Sequence, residues 1–112
     1  MSLLSIAHIS KHPDDNITNW SVREVQLSGE SERTQHIVGY IFLECSVRVT
    51  SEIVTFDQEQ MLVQTGIGRI YHLKGEPGTT RNGDYAWDRW SMINDAKGEV
   101  DVTDQYFDFQ QI

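Results

Sequence analysis

The run MLVQTGIGRIYHLK, residues 61–74, is the stretch that most narrows what this chain can become. Flanks rich in Val, Ile, Tyr and Thr stand on either side of Gly66 and Gly68. Such residues suit a pleated surface, and a short glycine-bearing loop reverses a pair of strands. The reading is a β-hairpin. Alternation places Tyr71 and Leu73 on one face and Ile70 and His72 on the other. Both faces carry apolar side chains, so the pair is expected near the middle of a sheet. Gly75-Glu76-Pro77-Gly78 stops the second strand, because Pro77 has no N–H for a ladder and Pro-Gly turns the chain. A glycine-rich phosphate cradle would need a third glycine where Tyr71 stands and a helix where a strand follows.

Three further stretches read as strands. In residues 17–27, Trp20 and Val22 share one parity and Val25 and Leu27 the other, which predicts a bulge near Arg23-Glu24. A short helix with Trp20, Glu24 and Leu27 on one side competes, and the β-branched content favours the strand. Residues 34–43 put His36, Val38, Tyr40 and Phe42 on one face and Ile37, Gly39, Ile41 and Leu43 on the other. Gly39 within it signals a bend or a close approach. Residues 46–56 form a third strand, with a break at Thr50-Ser51-Glu52. Consecutive strands and short turns predict a mainly β (α+β) domain. Its expected form is an antiparallel meander, or a small curled sheet or barrel, of five to six strands. At 112 residues the chain fits one domain.

Residues 1–16 read as a lead-in, with Leu3, Leu4, Ile6 and Ile9 on an apolar edge. His8 and His12 have the spacing of a helical metal pair, but Pro13 disfavours a helix there and no third ligand is evident. No metal or cofactor is expected. The apolar start is brief and lacks a basic leader, so neither a signal peptide nor a membrane span is read, and the expected location is cytoplasmic. Cys45 is the one cysteine, and its flank of Ile41, Phe42 and Leu43 predicts a buried or half-buried thiol.

The period changes after residue 83. Asp84 is a plausible N-cap for a helix over about 85–97, with Gly98 just past its end. Ala86, Trp90 and Ile93 fall on one stripe with Trp87 beside it, suited to core packing or to a binding platform. The segment 99–112 alternates valines with acids and then carries Tyr106, Phe107 and Phe109. It reads as a last strand or a terminal arm.

Charge is the feature that bears on function. The formal net charge is −8. Residues 1–82 hold ten acids against seven Lys and Arg, and residues 83–112 hold seven against two, so the last quarter of the chain carries −5. A chain of that sign does not seek a phosphate backbone but suits a basic protein surface. No nucleophile elbow, catalytic triad, Walker loop, zinc motif or deaminase signature stands in the sequence.

The runs Val49-Thr50-Ser51-Glu52-Ile53-Val54 and Val63-Gln64-Thr65-Gly66-Ile67-Gly68-Arg69-Ile70-Tyr71-His72-Leu73, followed by Gly75-Glu76-Pro77, form a pattern. It resembles small uncharacterised bacterial and mobile-element proteins with a TS-x-I strand and a T-x-x-G-x-x-Y-x-L hairpin. Those carry no assigned activity, so the resemblance implies a setting and no chemistry.

The expectation is a non-catalytic acidic protein that binds the basic surface of a nucleic-acid-handling partner. Its sharp form is a phage or mobile-element inhibitor of bacterial nucleic-acid or defence machinery, anti-CRISPR-like and acting by charge mimicry. The partner-binding residues expected are Asp84, Asp88, Asp95, Glu99, Asp101, Asp104, Tyr106 and Asp108. One alternative is a small-ligand or nucleotide pocket lined by Arg48, Arg69, Tyr71 and His72. Another is a homo-oligomer joined through an edge strand.

Overall fold

The computed structural model describes residues 4–108. Expectations placed on Leu3 and on Phe109 lie outside the described residues. The strands are β1 (Ser5–Ile6), β2 (Asp15–Gln26), β3 (Arg33–Ile41), β4 (Ser46–Val49), β5 (Ile53–Asp57), β6 (Leu62–Thr65), β7 (Ile70–Leu73) and β8 (Lys97–Asp101). One helix, α1 (Arg81–Ile93), stands between β7 and β8, and a 3₁₀ turn, Thr103–Gln105, follows β8. The protein is mainly β with one helix, as its patterning predicts.

The hairpin forms as read, with Leu62 opposite His72, Val63 opposite Tyr71 and Gln64 opposite Ile70. It lies inside the sheet, whose order is β1-β5-β6-β7-β2-β3-β4. Two antiparallel meanders, β5-β6-β7 and β2-β3-β4, are joined by parallel pairing of β7 with β2. That parallel seam, and a second between β1 and β5, are absent from the sequence reading. They depend on connections too long for local pattern to reveal.

Residues 50–52 break the expected third strand and carry the chain from one end of the sheet order to near the other. The Thr50 N–H donates to the Ile37 carbonyl at 2.9 Å, and the Gly66 N–H to the Glu52 carbonyl at 2.8 Å. These bonds curl the sheet, so inward residues of β3 (Ile37, Ile41) meet those of β5 (Ile53, Phe56) in the main core. Ile17, Trp20, Val22, Val63, Tyr71 and Leu73 complete that core, closed at one end by Val102 and Tyr106. On the outer face of β2-β3-β4, Val25 and Val38 pack under Trp87 of α1. A third cluster joins Ile9 to Leu62 and Ile70, while Ile6 is exposed. Apolar residues on both faces of β2 and β3 thus serve two separate cores.

The bulge of β2 against β3 lies at Asn19, and a second register shift, between Glu24 and Gln26 in the pairing with β8, falls beside the predicted place. Pairing with β3 shifts register between Thr18 and Ser21, and Asn19 has φ of 48°. This lets odd-numbered Ile17 share the main core with Trp20 and Val22. Past it, the pairing with β3 is regular through Gln26. Val25 looks out of phase in the sequence only because its outward face is covered by a helix. Gly39 sits opposite the bulge, where a Cβ would stand 2.5 Å from Ile17 Cγ2.

The helix begins at Arg81, four residues before the predicted start, and ends at Ile93. Thr80 is the cap, its hydroxyl accepting from the Gly83 N–H at 2.9 Å, and Asp84 stands in the first turn. Lys97 and Gly98 belong to β8 instead. The buried stripe is Gly83 and Trp87 with Trp90 half-buried, whereas Ile93 is 75% exposed. Gly83 lets the helix approach Val38 and Val47, which sets its rotation. Cys45 is exposed, in a turn where Phe42 and Leu43 also face solvent. β3 ends at Ile41, which is buried, so Phe42 and Leu43 of the flank that suggested burial never enter the sheet.

Candidate interaction face

Arg23 projects from the outer face of β2 toward α1, with its side chain only 11% exposed. Its Nη2 donates to Asp84 Oδ1 at 3.1 Å and its Nη1 to Glu99 Oε2 at 3.4 Å. The guanidinium carbon lies 5.1 Å from the Trp87 ring centroid. Trp87 Nε1 in turn donates to Glu99 Oε1 at 2.7 Å. One cation therefore ties helix, strand and terminal segment together over an aromatic face, through two carboxylates whose side chains are themselves about half exposed.

Along the edge of β2 opposite β3, between its pairings with β7 at residues 15–17 and with β8 at residues 23–26, two loops dock. The Gly78 N–H donates to the Trp20 carbonyl at 2.9 Å. The Val102 N–H donates to the Val22 carbonyl at 2.9 Å, and the Val22 N–H to Thr103 Oγ1 at 3.0 Å. Asp101 Oδ1 accepts the Thr103 N–H at 2.9 Å. Between the loops lies a cleft of about 290 Å³ bordered by Ser21, Gly78, Thr79, Asp101, Thr103 and Asp104. Ser21, Gly78 and Thr79 also border a shallow dip next to Arg23 and Asp84.

Four of the expected partner-binding acids, Asp84, Glu99, Asp101 and Asp104, thus gather around the Ser21–Arg23 stretch of β2. Asp88 is one helical turn beyond Asp84, and its side chain faces solvent. Asp95 stands apart, in the turn between α1 and β8 beside Lys97 and the 28–31 loop. Asp108 is exposed past the 3₁₀ turn.

Tyr106 is no surface residue. It is buried in the main core, its ring 4.7 Å from Phe56, and its hydroxyl donates to Gln35 Oε1. Burial raises its pKa, and the nearby charge of Glu24 adds to the rise. Its acidic neighbours in the chain suit partner docking, but the ring itself packs into the core. Trp87 and Trp90 form no open platform either. They stack at 5.2 Å, and Trp90 covers His36 at 4.5 Å.

The ligand lining of Arg48, Arg69, Tyr71 and His72 is not brought together. Tyr71 is in the main core, and His72 is on the opposite face of the same strand. Arg48 stands on β4 with its Nε 2.6 Å from Glu44 Oε1. It borders a groove of about 610 Å³ between β4 and α1, shared with Val47, Tyr85, Arg89, Trp90 and Ile93. Among the described residues no three His, Cys, Asp or Glu side chains are placed to hold a metal ion. No helix among them is long and apolar enough to cross a membrane.

Two buried titratable groups contribute to the acid response, alongside Glu24, held low by its bonds from Gln35 and Arg33, and His72, lowered by burial. Asp57 accepts from the Ile9 N–H at 2.8 Å and from Gln60 Nε2 at 2.7 Å, with His8 Nδ1 at 3.3 Å. Those hydrogen bonds, the Ile9 N–H foremost, hold its carboxyl at about 2. His36 is held below its ordinary value by burial, partly opposed by its bond to the Thr50 carbonyl. That carbonyl can only accept, so Nδ1 carries the proton, and Thr34 Oγ1 donates to Nε2 at 2.7 Å. Both pKa values are lower in the folded chain than in the unfolded one. Stability is therefore full above the unfolded values and falls with pH in two windows. The His36 window opens below 6.5, and the Asp57 window runs from 3.8 down to about 2. Chemical denaturation along a pH series is expected to show both losses, with Asp57→Asn flattening the lower one alone.

No family model matches this chain, and neither a curated protein nor a solved structure does. Its function is read from the residues just placed. Ser21, Arg23 and Thr103 are the contributors that sequence reasoning passed over. The one cation of β2, standing between Val22 and the Glu24-Val25 pair, was the available signal for Arg23. Nothing local marks Ser21.

Proposed function

We propose that this chain is a non-enzymatic interaction module that presents the α1–β8 side of its fold to a basic protein surface. The gathering of Asp84, Glu99, Asp101 and Asp104 about one strand edge carries the reading. The proposed partner is a bacterial nucleic-acid-handling or defence protein, kept from DNA or RNA by charge mimicry as an anti-CRISPR inhibitor would do. The net charge of the segment and the mobile-element setting implied by the hairpin support that choice. The place of action that goes with it is the cytoplasm.

The test must separate binding charge from structural charge. Asp84 and Glu99 hold Arg23, and Asp101 holds the Thr103 N–H, so their loss disturbs the fold. Asp88, Asp95 and Asp104 have no such bond among the described residues. Pull-downs from bacterial lysate with the native protein and the Asp88→Asn, Asp95→Asn, Asp104→Asn triple variant, at low and high salt, measure the difference. The triple variant is expected to melt as the native protein does and to retain about fivefold less partner at low salt. Equal recovery by both proteins at both salts overturns the reading.

A second reading, self-association, is favoured by the exposed face of α1. Tyr85, Met92 and Ile93 are 63%, 81% and 75% exposed, beside the open edge of β4. Light scattering that gives the monomer mass at micromolar concentration removes it.

A further inference from the structure

We propose that the groove between β4 and α1 receives an acidic peptide segment of a partner protein, which adds to the open edge of β4 as a further strand. The groove lies on the flank of α1 away from β8, so the proposal goes beyond the acidic-face reading above.

β4 ends the sheet order and pairs with β3 alone. The Thr50 N–H donates to the Ile37 carbonyl at 2.9 Å, and this pair continues the β3–β4 register one residue past Val49. Antiparallel pairs alternate between residues that exchange backbone bonds and residues that do not. Ser46 and Arg48 therefore turn their backbone groups toward β3, and Val47 and Val49 turn theirs to the open edge. No other segment takes those groups among the described residues.

The side chains of Val47 and Val49 pack on the outer face, under α1. A residue paired with either valine sends its own side chain to that same face. There it meets the helix, where Asn82, Tyr85, Ala86, Arg89 and Ile93 form one stripe along the groove. Strand edges flanked by such a wall bind extended peptides, main chain to main chain, with alternate side chains in the groove. The volume of about 610 Å³ leaves room for more than one side chain.

Charge selects the occupant. The chain holds 17 Asp and Glu against 9 Lys and Arg, yet Arg48 and Arg89 border this groove and no Asp or Glu does. Arg89 donates to the Tyr85 hydroxyl at 3.3 Å and meets no carboxylate among the described residues. Arg48 gives its Nε to Glu44, and its Nη donors have no partner there. Such guanidinium donors match carboxylates in pairs. A basic segment would face both arginines. A second copy would bring its own Arg48 and Arg89 to the same seam, and charge on an edge strand opposes that pairing.

The experiment is an amide NMR titration of the full chain with three end-blocked octapeptides. One alternates valine and glutamate, one alternates valine and lysine, and the third is the glutamate peptide N-methylated at every peptide bond. The glutamate peptide is expected to shift the Val47 and Val49 amides and slow their exchange. The Arg48 amide, already bonded to β3, is expected to keep its exchange rate. The lysine and N-methylated peptides are each expected to bind about tenfold more weakly. The Arg48→Gln, Arg89→Gln double variant, at two exposed positions, is expected to melt as the native protein does and to bind the glutamate peptide about fivefold more weakly. Should it melt lower, the peptide series on the native chain decides alone. Equal binding of the glutamate and lysine peptides, or of the glutamate peptide by both chains, overturns the acidic occupant. Equal binding of the N-methylated peptide overturns strand addition. Protection of the Val47 and Val49 amides that grows with protein concentration, with no peptide present, gives the edge to a second copy and overturns the partner peptide. No shift at these amides overturns the site. None of these outcomes involves Asp88, Asp95 or Asp104, so the acidic-face reading stands or falls separately.

Discussion

Trp87→Ala is expected to lower the stability of this protein by about 3–5 kcal/mol, the range for deleting a large aromatic from a core. The ring is 1% exposed and forms the floor of the helix–sheet contact with Val25 and Val38. It stacks on Trp90, supports the Arg23 guanidinium and donates to Glu99, so three elements lose their common contact when it goes. Glu99 would keep only its 3.4 Å bond to Arg23, itself left without the aromatic face. A domain of this size holds about 5–15 kcal/mol in all, so the variant sits close to unfolding. Urea denaturation measures the loss, and amide exchange locates it. Because Trp87 is not part of the main core, exchange should quicken in α1 and β8 well before β5, β6 and β7. A loss under about 1 kcal/mol would mean that the helix is held by something other than this ring.

Gly39→Val is expected to cost about 3 kcal/mol or more, for the opposite reason: too much volume rather than too little. A Cβ at Gly39 would lie 2.5 Å from Ile17 Cγ2, 3.0 Å from the Thr18 carbonyl oxygen and 3.1 Å from Trp20 Cα. Two of those atoms are backbone of the bulge, and the third belongs to a fully buried β-branched side chain, so none can swing aside. Straightening the bulge would move Ile17 out of the main core. The control is Gly78→Ala, where an added Cβ meets nothing within 4 Å and φ is not in the left-handed region. A melting temperature unchanged in Gly39→Val and lowered in Gly78→Ala would reverse the assignment of the close approach.

The same two sites show why the sequence was readable in part. Gly39 announced a close approach, but what approaches it is a bulge in another strand, displaced from where the parity of Val25 had suggested. Trp87 was seen beside an apolar stripe rather than at its centre. Thr80 and Asp84 are both chemically good helix caps, and nothing local chooses between them. Gly83 against Val38 and Val47 makes the choice, since it settles which side of the helix can come close. Tyr106 is expected among the partner-binding residues from its acidic frame, while in space it meets Phe56 and Gln35. The acids themselves were visible, but not that Asp84 and Glu99 are taken up by Arg23 while Asp104 is left open.

What the amino-acid order determined alone was local: the hairpin at Gly66-Ile67-Gly68, the existence of one helix, the mainly β class and the concentration of negative charge after residue 83. Turn chemistry, side-chain periodicity and charge act over a few residues, so a short window contains their cause. The tertiary structure decided the parallel seam of β7 on β2, the curl that brings β3 over β5, the bulge at Asn19 and the partition of the acids. Each of these depends on which distant segment fills the space beside a given backbone group. The hydroxyl of Ser21 is the clearest case, since its having no hydrogen-bond partner among the described residues is a property of every segment around it and of no residue in its own strand.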